Sequence, residues 1–426
     1  MELETLIKNL NAKTAEERLS ALSQIMELYK NGTLPYPKTV ESVNNHIHTT
    51  YSFSPYSPTK AVYMAFCAGL KTAGIMDHDS IAGAKEFIKA GEIAGISTTV
   101  GLEVRVKMNG SKFFDRRYNN PDQPSVAYVA CHGVPHQNID KMQEFMTPYR
   151  AKRNERDKKE VEKINELIID SGVTLDFEKD VLPISEYQNG GSVTERHILY
   201  ALSLKLIDKL GKGAPLVDFL QNKLNISLSQ KVIDNLLNTE KEYYEYTLLG
   251  ALKSDLVPKF YINSEYDCPD VRDFVKAVAE VGAISAYAYL GDVGDSVTGD
   301  KKAQKFEDEF IDELVPELKA FGFAAITFMP TRNTEAQAQK LMRLATENDL
   351  FQICGEDVNS PSQSFVCAAL EKPEFRHLIS AAWALIGHEK AATKNIEDAF
   401  FSPKTVQKLP TLKERTAYFE KIGKNA

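Results

Sequence analysis

Four of the eight histidines in this 426-residue chain fall where short apolar runs end. They are His46 and His48 in VNNHIHTTYS, His78 in TAGIMDHDS and His132 in SVAYVACHG. Carboxylates fall at matching points: Asp77 beside His78, Glu103 in STTVGLEVRVKM, and Glu356 and Asp357 after FQIC. Side chains alternate along a strand, so His-x-His sends both imidazoles to one side. Imidazole nitrogens joined by carboxylates from neighbouring strands make a nitrogen/oxygen site suited to Zn, Mn or Fe. A glutamate bridging two such ions about 3.5–4 Å apart is the arrangement that activates water for phosphoester hydrolysis. A lone His-x-His is usually a surface accident. The DH pair and the glutamate two residues after Gly101, on successive strands, set this one apart.

The elements that must carry these residues alternate between strand and helix. From about residue 42 the order is VNNHIHTTYS (strand), TKAVYMAFCAGL (helix, opened by Ser57 and Pro58), TAGIMDHDS (strand), IAGAKEFIKAGEIAG (helix) and STTVGLEVRVKM (strand). This rhythm predicts βα units and a parallel sheet, with ligands at the C-terminal strand ends. It resumes near residue 270, where AISAYAYLGD, FAAITFMP and FQICGEDVNS each follow a helical stretch. Between the two halves the chain is long, charged and helical in period, as in YRAKRNERDKKEVEKINELIID. Ahead of them, Thr14 and Glu17 form a capping-box pattern for an appended helix bearing Leu19, Leu22, Ile25 and Met26 on one face. We therefore expect an N-terminal helical extension over 1–40, a first barrel part over 41–136, a mostly helical insertion over 137–268, a second barrel part over 269–368 and a C-terminal helical extension over 369–426.

Composition limits the function. With 51 Lys and Arg against 59 Asp and Glu, the formal charge is −8, and there is no long basic run. Dependence on a nucleic-acid backbone is disfavoured, as is a membrane partner. The five cysteines form no CxxC pair and fit free thiols in a reducing compartment, so a cytoplasmic protein is expected.

The stretch NNHIHTTYSFSPYSPTKAVYMAFCAGLKTAGIMDHDSIAGAKEF, followed by GLEV, resembles the start of the PHP (polymerase and histidinol phosphatase) domain, a metal-dependent phosphoesterase group. ERHILYAL is similar to the family's Arg-Pro-His-Ile segment, and GEDVNS sits where the family has Gly-Ser-Asp-Ala-His. The resemblance implies an α/β fold, a distorted (β/α)7 barrel holding one to three divalent ions of Mn, Fe or Zn. It matches His46, His48, Glu103 and Asp357 to a first metal site bridged by Glu103. It matches His78 to a further ligand, with Asp77 as an orienting carboxylate, and His197 to a histidine close to the metals. His132 is a candidate ligand from its strand end. Arg196 would face a phosphate and neutralise charge on the transferring group. Arg150 and Arg153, with Arg156, resemble the family's paired arginines; the alternative is a solvated charged helix face.

The departures are equally specific. Tyr289 and Asn359 stand where ligand histidines would be, and Phe53 and Ser54 where an Asp or His ligand is usual. One metal is then gone or held differently, and Asp292, Asp295 and Glu356 are ordinary loop carboxylates that could compensate. Tyr289 could also donate a proton, and Arg332 could reach a substrate anion. His377 and His388 belong to the C-terminal helical segment and read as structural. The expected function is hydrolysis of a small phosphorylated molecule, of nucleotide or sugar-phosphate type, by metal-activated water. The alternatives are a catalytically silent PHP-like binding protein and a metal-dependent C–N hydrolase on the same barrel.

Overall fold

The computed structural model describes residues 2–294 and 304–425. Two helices, α1 (Glu2–Asn9) and α2 (Ala15–Lys30), precede the sheet. Thr14 caps α2 through the expected box with Glu17, and Ala21, Leu22, Ile25 and Met26 are buried. Helix α3 (Pro58–Cys67) starts at Ser57, whose side chain accepts from the Lys60 N–H, with Pro58 at the first helical position. Then follow β1 (Thr72–His78), α4 (Ala84–Ala94), β2 (Ser97–Lys107) and β3 (Val126–His132). The insertion supplies α5 (Ile139–Leu167), α6 (Glu195–Leu210), α7 (Ala214–Asn222), α8 (Gln230–Leu237) and α9 (Tyr244–Phe260). The alternation resumes with α10 (Val271–Glu280), β4 (Ile284–Tyr289), α11 (Ile311–Phe321), β5 (Ala325–Phe328), α12 (Glu335–Glu347) and β6 (Phe351–Cys354). The chain closes with α13 (His377–Lys394), α14 (Pro403–Lys408) and α15 (Leu412–Lys424). None of the described helices is long and apolar enough to cross a membrane.

The six strands form one sheet in sequential order. The β1/β2, β4/β5 and β5/β6 pairs are parallel, but β3 runs antiparallel to both β2 and β4. The all-parallel expectation therefore fails at β3. Residues 108–125, which join β2 to β3, hold no crossover helix, and a chain that returns without one pairs antiparallel.

The expected first strand, VNNHIHTTYS, is an extended segment and not a ladder strand, which leaves six strands among the described residues instead of seven. Its one bridging residue, Ile47, pairs in parallel with Ile75 of β1 and with Val358 beyond β6. Backbone bonds link Asn44, Ile47 and His48 with Gly74, Met76 and Val358, and side chains add to them: Asn44 Oδ1 accepts from the His46 N–H (2.9 Å), and the Asn45 amide donates to Cys354 O (2.8 Å). The segment thus joins both edges of the sheet. Small residues on either side permit this. A Cβ at Gly74 would lie 2.7 Å from Asn45 Cα, and one at Gly355 would lie 2.7 Å from both Cβ and N of His46.

Leu102, Val104, Val106, Val129 and Ile326 belong to the main core, packed against α2–α4 and α10–α12. A second cluster, including Ile164, Leu202, Leu248, Leu252 and Phe260, lies within the insertion. A third joins Ala130, Ala286 and Ile353 of the sheet to Ala381, Ala384 and Leu385 of α13. Helix α13 also presents Glu389, which accepts from Thr99 Oγ1 and the Val100 N–H, both at 2.8 Å.

Candidate metal centre

His46 and His48 flank the bridging Ile47, so both rings turn to the same side, and their Nε2 atoms are 3.2 Å apart. His78 ends β1 and pairs in register with Glu103, which lies inside β2 and not at its end. Glu103 Oε2 is 3.0 Å from His78 Nδ1 and 3.7 Å from His46 Nε2. Asp357, three residues beyond β6, brings Oδ1 to 3.2 Å from His48 Nε2. His46, His48 and Glu103 form a group whose donor atoms all lie within 4.8 Å of one another.

A buried relay orients His48. Asp77 accepts from the Thr49 N–H, Thr49 Oγ1 and Ser52 Oγ, each at 2.6 Å. Because the Ser52 proton goes to Asp77, the Ser52 oxygen at 3.2 Å accepts from His48 Nδ1–H. This assigns the proton to Nδ1 and leaves Nε2 a bare lone pair aimed into the centre. Asp77 therefore acts on His48 through Ser52, not on His78 as expected, and its oxygens are taken up by that loop.

The charges agree with a cation site. Burial, reinforced by His78, lowers the His48 pKa and keeps the ring neutral. Burial also opposes a proton on His46, but the Glu103 charge outweighs it and raises that pKa. Against the upward push of burial, His46 and His78 hold Glu103 well below the usual carboxylate range. Contact with His48 and the charge of His46 do the same for Asp357. His48 Nε2 and an Asp357 carboxylate oxygen lie 3.2 Å apart. Separations of 3.0–3.7 Å among these donors suit an ion bound at about 2.0–2.2 Å. The donor set fits Zn, Mn or Fe.

His132 lies near this cluster but outside its donor group, and His197 is turned to its own helix. Ala130 of β3 pairs with Glu103, so His132, two residues on and on the same face of the strand, feels the charges of His46 and Glu103. Its Nε2 is buried without a partner, and burial lowers its pKa to about 3. His197 caps its own helix: its Nδ1 accepts from the Thr194 N–H (3.0 Å), and its ring meets Phe53 edge-on at 5.0 Å. Phe53 and Ser54 are buried, Phe53 among the apolar residues of the insertion.

A cavity of about 330 Å³ opens beside the centre, lined by His46, His78, Glu103 and Asp357. Arg196, at the start of α6, also lines it and donates to Asn359 Oδ1, while Asn359 Nδ2 donates to Asp357 Oδ1 at 2.6 Å. Asn359 is thus a link between guanidinium and carboxylate. Tyr289 lines the wall, but its hydroxyl donates to Asp308 (2.5 Å). Asp292 accepts from the Phe306 N–H (2.6 Å), Glu356 accepts from Thr331, and Asp295 lies outside the described residues.

The arginines of α5 are buried, not solvated. Arg153 reaches the cavity, held by Asp79, a residue at φ +54°, and by Glu195 (2.8 Å). Arg156 binds Asp267, Glu160 and Glu195 at 2.6–2.9 Å. Arg150 donates to Gly191 O (3.0 Å) and lies over the Tyr187 ring, so it braces a loop away from the cavity lining. His388 bonds Gly133 O and the Phe400 N–H, a structural role as expected.

Sequence reasoning missed Tyr128 and Lys253, both on the cavity wall. Tyr128, on β3, brings its ring to 5.8 Å from that of His78. The aromatic residue in SVAYVACHG at alternating spacing from His132 was the available signal. Lys253 had none, because only the packing of α9 on α6 brings it to the cavity.

Residues 44–175 match the PHP domain family. A 5'-3' exoribonuclease of Haemophilus influenzae is 23% identical over 317 residues, covering 74% of this chain and 89% of that protein. Two solved structures share the fold. One, provisionally assigned as a metal-dependent phosphoesterase of Bifidobacterium adolescentis, aligns with TM-score 0.50 and 18% identity over 82% of this chain and 97% of that one. The other, an amidohydrolase of Chromobacterium violaceum with bound sulfate and no metal, aligns with TM-score 0.50 and 15% identity over 80% and 96%.

Proposed function

On the premise that residues 44–175 carry a PHP domain, we propose that this protein is a metal-dependent hydrolase that cleaves phosphoesters of small molecules of nucleotide or sugar-phosphate type. One observation carries the reading: His46, Glu103 and Asp357, with His48 converging on them, directly line a cavity that they share with Arg196. In this reading His46, His48, Glu103 and Asp357 would hold an ion, with His78 beside Glu103 available as a further ligand. Divalent ions there would lower the pKa of water and offset charge on the phosphoryl oxygens.

The chain's own residues do the rest. Asp77 and Ser52 keep the His48 lone pair on target. Arg196, steadied by Asn359, lies where it would offset charge developing on the transferring group. Tyr289 has its proton committed to Asp308, so we give it no part in protonating the leaving group. A cavity of about 330 Å³ is at the small end of ligand sites, which favours a compact substrate.

The Haemophilus influenzae relative favours a second reading within the same chemistry, stepwise cleavage of RNA phosphodiesters from a 5' end. The net charge of −8 weighs against a long polyanion and for a short one. The deciding experiment follows inorganic phosphate from a panel of mononucleotides and sugar phosphates, and mononucleotides from single-stranded RNA, with Mn, Fe or Zn supplied. We expect phosphate release from at least one monoester, reduced by more than about a hundredfold in His46→Ala and Asp357→Ala. Nucleotide release without phosphate release would select the second reading. Metal binding with no turnover of any phosphoester would overturn both.

A further inference from the structure

The cavity wall holds cations that the protein itself does not neutralise. Arg196 and Lys253 line it from two insertion helices packed on each other, α6 and α9. Among the described residues neither has a salt-bridge partner, whereas the neighbouring Arg153 is occupied by Asp79 and Glu195. Arg196 spends one nitrogen on the neutral Asn359. Lys253 remains exposed to the cavity, with Val257 one turn further along the same wall.

The two charges oppose each other. The Arg196 guanidinium is the largest influence on the Lys253 ammonium and, with desolvation, lowers its pKa to about 8; Asp122, Asp357 and Glu195 pull it back only in part. Like charges facing one cavity, with no carboxylate bonded to either, are a standing cost that an entering anion removes. The candidate metal donors His46, His78, Glu103 and Asp357 line the same cavity, so an anion held by both cations would share it with any ion bound there.

We propose that Lys253 binds the phosphoryl oxygens of the substrate together with Arg196, so that the insertion supplies the cation pair that selects an anionic substrate. This rests on the phosphoester reading. Lysine serves here as a point charge, whereas the Arg196 fork fixes direction. Helix α9 thereby becomes the specificity element, its position set by the insertion core through Leu248, Leu252 and Phe260.

The test uses inorganic phosphate as the probe, titrated calorimetrically into metal-loaded wild type, Lys253→Met and Lys253→Arg, with metal content measured on each. Lys253→Met should weaken phosphate binding by about tenfold or more, and Lys253→Arg should stay within about threefold of wild type, with metal content unchanged in both. Equal phosphate affinity in wild type and Lys253→Met would overturn the proposal. So would equal losses in both variants, which would indicate shape and not charge, or loss of metal in Lys253→Met. Failure of the wild type itself to bind phosphate would count against the phosphoester reading and remove the proposal with it.

Discussion

His48 is the residue on which the centre turns, because its tautomer is set by neighbours that never touch the cavity. Asp77 takes the Ser52 proton, Ser52 takes the His48 Nδ1 proton, and Nε2 is left free to bind an ion. Removing the Ser52 hydroxyl would let the ring adopt either tautomer while leaving Asp77 its two bonds to Thr49. We predict that Ser52→Ala lowers metal affinity by about 10- to 100-fold and scarcely shifts the melting temperature of the metal-free protein. A metal titration beside a thermal melt checks this, and unchanged affinity would show that the relay does not orient the ligand. The candidate donors at 46, 48, 78 and 103 were legible because His-x-His, Asp-His and Gly-Leu-Glu carry their chemistry locally, and Asp357 because it follows the apolar run FQIC. Ser52 was not, since a serine in a Ser- and Tyr-rich loop looks like any other. Asn359 reads as a lost ligand in sequence and becomes, in three dimensions, the link from Arg196 to Asp357.

At the scale of elements, the segment around Ile47 has to pass close to β1 and to the chain beyond β6. Gly355 permits the second approach, since any side chain there would start 2.7 Å from the His46 backbone nitrogen and Cβ. Neither can retreat cheaply, because His46 N–H is tied to Asn44 and its ring to the centre. Gly355→Ala should cost roughly 1–3 kcal/mol of stability and displace His46. We expect a lower melting temperature together with weaker metal binding; wild-type values for both would show that the contact is slack. The helices and their caps, such as Thr14 with Glu17 and Ser57 with Pro58, were readable because capping is local. The direction of β3 was not, since an apolar run carries no arrow. That one reversal sets Ala130, and not His132, directly beside Glu103.

Across the whole molecule, a buried charge network fastens the insertion to the sheet. Arg153 reaches Asp79 beyond β1, and Arg156 and Arg105 of β2 share Asp267. Burial pushes the carboxyls of Asp157 and Glu160 up, against the pull of Arg156 beside both. The sequence shows these residues as a charged helix; that they are buried follows only from which face of α5 meets the sheet. The network holds α6 and α9 over the cavity, where Arg196 and Lys253 meet the ligand cluster. Whether this cluster binds metal is decided by elemental mass spectrometry on purified wild type and His48→Ala, each reconstituted with Mn, Fe and Zn in turn. We expect at least about one equivalent of one of these metals in wild type, lost in His48→Ala while the melting temperature of the metal-free proteins stays alike. A wild type that takes up none of them, or a His48→Ala protein that keeps the full complement, would contradict the metal-centre reading.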